Sequence, residues 1–324
     1  MITRRQFHAA ATSAVLGSVA LGSGNARTAG VPKDRAFTLD LRCGSIGVNA
    51  NQLQAIELAH KHGFESLTPE PGFLAQLDDS KRKALADDMK QKKLVWGSAG
   101  LPVEFRRDEA RFRDGLKNFP KQAAGLQKAG VTRMGTWIMP KHDTLTYMAN
   151  FRQHAKRLRE CVKVMADHGL RFGIEYVGPK TLWTSGRYSF VHSMVEAREL
   201  LDAIGMKNTG LVLDSWHWYT AHETLDDLKT LKNSDIVACD LNDAPKGVPI
   251  DKQIDNRREL PSATGVIDLR GFLSALVEIG YDGPIRAEPF NQPLNKLDND
   301  AACAATAKAM KTAFGLVQKR PDSP

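Results

Sequence analysis

Short apolar runs alternate with longer amphipathic stretches along most of this chain. Phe37–Leu41, Phe64–Thr68, Leu94–Ser98 and Val131–Ile138 have the length and β-prone composition of strands. Between them the apolar period lengthens to that of helices. Asn51 is placed to cap a helix over Gln52–His62, which Gly63 ends. A second helix opens at Asp78 or Asp79 and runs to Lys92. The spacing predicts a long third helix over Asp108–Gly130 with a break near Pro120, and a fourth from about Thr144 to His168.

Four more strand-like runs follow, and each ends in an acid. Leu170–Tyr176 carries Glu175, and Gly210–Leu213 runs into Asp214. Asp235–Asp243 carries Asp240, and Gly283–Phe290 carries Glu288. Ser189–Ile204, Asp268–Ile279 and Asn299–Lys319 supply further helices. Eight strand–helix units with no intervening linker predict an α/β fold, a single closed (β/α)8 TIM barrel over residues 35–320. An open doubly wound sheet would need a glycine-rich phosphate turn after its first strand. Gly44-Ser45-Ile46-Gly47 only partly resembles one.

In such a barrel the C-terminal strand ends ring one mouth, so Glu175, Asp214, Asp240 and Glu288 would converge. Buried carboxylates at close quarters repel unless something neutralises them. A divalent cation with oxygen ligands does so, and Mn, Mg, Co and Zn are all open. The alternative for each acid is a helix N-cap or a salt bridge. His217, three residues after Asp214, is a candidate site residue. Trp137, Trp183, Trp216 and Trp218 fall in or near expected mouth loops, where rings stack on the apolar faces of sugars. Asn242, Lys180 and Glu70 are further candidates. The long loops 178–188 and 243–265 mark the same face.

Composition changes this picture little: 324 residues, 42% hydrophobic and 25% charged, is ordinary for a globular chain. The first thirty residues differ. Arg4 and Arg5 precede an Ala/Gly/Ser-rich run over residues 9–22, as in a twin-arginine export signal cleaved near Ala26. That predicts a periplasmic product with no stable membrane insertion once mature. The +8 net charge is scattered, without a basic stripe, which argues against a nucleic-acid partner. Cys43, Cys161, Cys239 and Cys303 are irregularly spaced and read as free thiols. A homo-oligomer is left open.

The stretches Gly173-Ile174-Glu175, Leu213-Asp214-Ser215-Trp216-His217, Asp240-Leu241-Asn242-Asp243-Ala244-Pro245, Gly280–Pro284 and Ala287-Glu288-Pro289-Phe290 resemble the xylose isomerase-like TIM barrels, in their sugar phosphate isomerase/epimerase branch. The resemblance implies a metal held by Glu175, Asp214, Asp240 and Glu288, although many members carry histidine where Asp240 stands. It also implies that Glu175 and Glu288 exchange protons with substrate, that His217 supports the site, and that Arg258 contacts substrate.

The implied reaction is isomerisation or epimerisation of a small sugar or keto-sugar through an enediolate. A lyase or dehydratase on a keto-sugar or keto-glycoside shares its first step. A non-catalytic, metal-bearing sugar-binding barrel is the third reading, and cleavage of DNA is a distant fourth. Export weighs against phosphorylated substrates.

Overall fold

The computed structural model describes residues 35–317. The expected export signal and the last residues of the predicted C-terminal helix lie outside them. Nine parallel strands form the main sheet: Thr38–Leu41 (β1), Ser66–Leu67 (β2), Val95–Trp96 (β3), Ala99–Gly100 (β4), Arg133–Trp137 (β5), Arg171–Glu175 (β7), Thr209–Asp214 (β9), Ile236–Leu241 (β10) and Pro284–Ala287 (β11). Their order is β3-β2-β1-β11-β10-β9-β7-β5-β4. Lys141–His142 (β6) and Tyr188–Ser189 (β8) form a separate antiparallel pair.

The expected closed ring of eight strands is therefore corrected. The fold is TIM-barrel-like, but the sheet has nine strands and its hydrogen-bonded ladder is open between β3 and β4. The reason lies at Gly97-Ser98, between those two strands. Gly97 still donates to Leu67 on the β2 side, whereas Ala99 and Gly100 pair with β5. The Asp40 carboxyl occupies the space that a Cβ on Gly97 would need, so the chain passes here only without a side chain. One predicted strand, Leu94–Ser98, thus becomes two short ones with different partners.

Helices cover the outside of the sheet: Gln52–His62 (α1), Pro71–Leu74 (α2), Asp79–Gln91 (α3), Glu109–Lys128 (α4), Tyr147–Asp167 (α5), Lys180–Trp183 (α6), Met194–Ile204 (α7), Ser215–Thr220 (α8), Leu225–Lys229 (α9), Leu269–Ile279 (α10) and Asn299–Phe314 (α11). Asn51 and Gln54 form a reciprocal capping box at α1, and Gly63 closes that helix in the left-handed conformation. α4 runs through Pro120 without interruption, so the expected break is absent. The two tryptophans of α8 are core residues, with Trp216 0% and Trp218 6% exposed, and neither is a mouth residue. All four cysteines are free. No helix among the described residues is long and apolar enough to cross a membrane.

Register sets up the site. Asp40 on β1 pairs with Arg286 on β11, Arg286 with Asp240 on β10, and Asp240 with Asp214 on β9. Residues in register across parallel strands project to the same side, so these four form one charged layer inside the sheet. Glu288, two residues beyond Arg286, projects the same way one step nearer the mouth.

Candidate active site

Four acids meet at the C-terminal ends of β7, β9, β10 and β11. Glu175, Asp214 and His217 each offer an atom within 4.8 Å of the others, and so do Glu175, Asp240 and Glu288. Glu175 belongs to both groups. All five residues are buried.

Three of the four acids have a guanidinium partner. Arg286 holds both oxygens of Asp240, at 2.6 and 3.0 Å. Arg258 Nη1 donates to Asp214 Oδ2 at 2.8 Å and also reaches Glu288 Oε2 at 3.5 Å. Arg42 Nη1 donates to Glu288 Oε1 at 2.8 Å. Glu175 has none: its Oε1 is buried without a hydrogen-bond partner. Such an atom is costly unless it takes a proton or a cation.

The protonation states follow from these contacts. Burial and the charges of Glu288, Asp240 and Asp214 push Glu175 well above the usual carboxylate range. Burial raises Asp214 to about 7 despite Arg258. Glu288 is raised by burial, against the opposing pull of Arg42. Burial would also raise Asp240, but the Arg286 guanidinium outweighs it and holds the acid below its ordinary value. His217 falls to about 3 through burial and the neighbouring Arg258 charge, so its ring is neutral. Gly178 N–H points at His217 Nδ1 and Arg258 Nη2 at Nε2, at 3.2 and 3.1 Å. A neutral ring has one lone pair for these two donors, so one contact is always unfavourable.

This donor set fits a divalent cation. Glu175, with one carboxylate oxygen buried and unpartnered, stands within ligand reach of three further acids and an imidazole nitrogen, and the arginines leave its charge uncompensated. The N-cap and salt-bridge alternatives also hold in part. Asp214 caps α8 through the Trp216 N–H, and Asp240 is fully engaged by Arg286.

A cavity of about 430 Å³ opens over the acids, with Glu175, His217, Arg258, Glu288, Trp137 and Phe290 in its wall. Arg258, fully buried, lies in that wall and also donates to Asp255. Trp137 is 40% exposed and carries the Arg106 guanidinium over its ring. The other expected substrate contacts stand elsewhere. Trp183 stacks on His192 at 4.5 Å, and its neighbour Leu182 faces the cavity in its place. Asn242 is buried below the cavity: its amide donates to Asp214 and its oxygen accepts the Glu288 N–H, so it orients the acids. Both Glu70 oxygens cap α2, and the residue lines a neighbouring cavity. Lys180 pairs with Asp251.

The sequence reading missed Arg42, Asp255 and Arg286. Arg42 was legible, being the first residue past β1, as the acids stand at or just past their strands. Arg286 interrupts an apolar strand two residues before Glu288 and therefore shares its side. Asp255 carried no signal. Asp243 holds the 243–265 loop in place by accepting the backbone N–H groups of Thr264, Gly265, Val266 and Ile267.

Comparison with known proteins agrees with this architecture. The chain is 25% identical over 252 residues to an inosose isomerase of Bacillus velezensis, covering 77% of this chain and 87% of that one. It superposes on a xylose isomerase domain protein from Alicyclobacillus acidocaldarius with a TM-score of 0.74 and 26% identity, over 86% of this chain and 98% of the other. The IOLI protein solved with a bound zinc atom aligns with a TM-score of 0.71 and 22% identity, over 88% of this chain and 100% of that one. The model of the xylose isomerase-like TIM barrel family matches residues 56–313. With that match spanning most of the described fold, the chain belongs to the xylose isomerase-like TIM barrel family.

Proposed function

We propose that this protein is a divalent-metal-dependent isomerase or epimerase of a small, unphosphorylated polyhydroxy ketone, either a keto-sugar or an inosose. The observation that carries the reading is Glu175: a buried carboxylate, alone among the four acids in having no guanidinium partner, in the wall of a cavity of about 430 Å³. Glu175, Asp214 and Glu288 would hold the cation, with His217 beside them. Asp240 stands within reach, but Arg286 engages both its oxygens. When bound, the cation would supply Lewis-acid stabilisation of negative charge on the substrate's carbonyl oxygen.

The remaining chemistry falls to the side chains. Glu175 takes the proton from the carbon beside the carbonyl. Glu288, steadied by Arg42, delivers a proton to the neighbouring carbon or to the opposite face. Arg258 spends its donors on Asp214, Glu288, Asp255 and His217, and so holds the acids in place rather than reaching substrate. Trp137 offers a half-exposed face to the ring carbons. The oxygen-rich donor set favours Mg or Mn over the softer ions. Relatives named for inosose isomerisation support the substrate class. Export to the periplasm remains a proposal resting on Arg4, Arg5 and the small-residue run after them.

The test is incubation of the metal-loaded protein in deuterium oxide with a panel of ketohexoses and inososes. Deuterium entering the carbon beside the carbonyl of product and of recovered substrate is expected. An enone or a released substituent would indicate the lyase instead. Full metal binding without exchange on any member would leave only the non-catalytic barrel.

A further inference from the structure

The acid cavity occupies one part of the mouth, at the ends of β7, β9, β10 and β11. A second cavity, of about 570 Å³, opens at the ends of β1, β2 and β4. The two share Arg42 and Gly44 as a common wall. Their linings differ in kind. The second is walled mainly by Leu41, Pro69, Pro71, Phe73, Leu101 and Pro102. Its charged residues are already occupied: Arg42 points its guanidinium at Glu288, and Glu70 caps α2. Thr68 Oγ1, buried in this wall, has no partner within the protein. Nothing in the proposed proton transfer uses this space.

We propose that the second cavity binds the non-reacting substituent of the substrate, and that the substituent is an apolar, ring-sized group such as the aryl aglycone of a keto-glycoside whose ketone stands on a ring carbon other than the glycosidic one. This rests on the sugar reading of the first cavity. A free monosaccharide held over the acids would leave the apolar walls of the second cavity in water. A glycoside lays its sugar over the acids, passes its linking oxygen over the Arg42 and Gly44 wall, and packs its ring against Phe73, Leu101 and the prolines. The apolar lining has a structural reason: β2 and β4 contribute only two residues each, and proline- and leucine-containing turns leave them at the mouth. Remote binding of this kind positions the reacting carbon without touching it.

The experiment uses phenyl β-D-glucopyranoside and methyl β-D-glucopyranoside as probes, with dissociation constants measured by calorimetry on the metal-loaded full chain. The phenyl compound is expected to bind about tenfold more tightly, as burial of one ring warrants. Phe73→Ala and, independently, Leu101→Gln are expected to lower the phenyl-to-methyl ratio at least about threefold. A purely structural defect would weaken both ligands and leave the ratio alone. Equal affinity for the two probes, absence of binding by either, or a ratio untouched by both substitutions would overturn the proposal. Binding is read without turnover, so a protein that prefers the phenyl compound yet exchanges no deuterium would refute the isomerase reading and leave this one standing.

Discussion

The two sides of the mouth solve opposite problems with the same fold. On the β7–β11 side, β9 and β10 are six residues long and buried apart from Thr209, and each delivers a charged tip into a closed environment. On the β1–β4 side the strands shrink to two or four residues, the ladder opens at Gly97, and the tips are apolar turns. Long, fully bonded strands fix a side chain to within a fraction of an ångström, which a site with four carboxylates requires. Short strands ending in proline turns make a wall with no need for that precision. The contrast separates residues that react from residues that select.

Removing Glu175 is the most severe way to test the contrast. Glu175→Gln keeps the shape and deletes the unpartnered charge, so turnover should fall by about 10³-fold, the range for loss of a general base. At a pH above the raised titration range of Glu175, the metal-free variant should melt higher than the parent, because a repelled buried charge is gone. Comparable turnover in the variant would remove Glu175 from the mechanism. An equivalent substitution on the other side, Glu70→Gln, should cost only part of a helix cap, about 1 kcal/mol at most, and little turnover.

Arg258 tests whether the acid side depends on its internal counter-charges. It is 2% exposed and bonds Asp214, Asp255 and Glu288. Arg258→Met strands those acids and should destabilise the metal-free protein by about 3–5 kcal/mol. Saturating Mg or Mn should recover part of that loss, since the cation replaces missing positive charge. Calorimetric melting with and without metal checks both. A loss of less than about 1 kcal/mol would mean that the acids are already neutralised by protons.

How much of this was legible follows the same division. The four acids and the Asp214/His217 pair could be picked out because strand ends are written locally: an apolar run stops at a charge. Arg258, in the 243–265 loop, was suggested only by the family resemblance. The ladder opening was not legible, because Leu94–Ser98 reads as one strand and its break depends on Asp40 filling the space beside Gly97 from another strand. The Asp240–Arg286 pair needed cross-strand register, which no local pattern contains. Trp216 and Trp218 misled for a related reason. Their loop was expected to cross the mouth, whereas α8 turns both rings into the core, where Trp218 meets Phe272 at 5.6 Å. Asn242 was assigned to substrate because it is polar and sits at a strand end, yet its hydrogen bonds are all spent on holding acids.

Proton competition gives a gentler probe of the acid side. Asp214 is raised to about 7 from an ordinary 3.8, and Glu175 is raised as well. A carboxyl whose folded value is raised contributes stability that is present below the unfolded value and lost as pH rises through the folded one. The metal-free protein should therefore lose stability from these groups between pH 4 and about 7. Metal binding needs the ionised acids, so affinity should rise steeply from pH 6 to 8 with release of protons. Calorimetry in buffers of different ionisation enthalpy counts those protons. A pH-independent affinity would mean that the acids enter the binding reaction already ionised.

The smallest expected effect separates two tryptophans that look alike in sequence. Trp137 ends β5, lines the acid cavity and is 40% exposed. Trp183 is committed to His192, with the rings 24° from parallel. If the cavity binds a sugar ring, Trp137→Ala removes a stacking face and should raise KM about fivefold, with little change in kcat, because the contact is the same before and during reaction. Trp183→Ala should change KM less than about twofold, its loss falling on packing of the loop before α7. The ratio of the two KM effects is the informative quantity, since both substitutions delete an indole from the same face of the fold. Equal effects would mean that the cavity accepts substrate across Leu182 and α6 as well, and the boundary of the reacting side would move outward to include them.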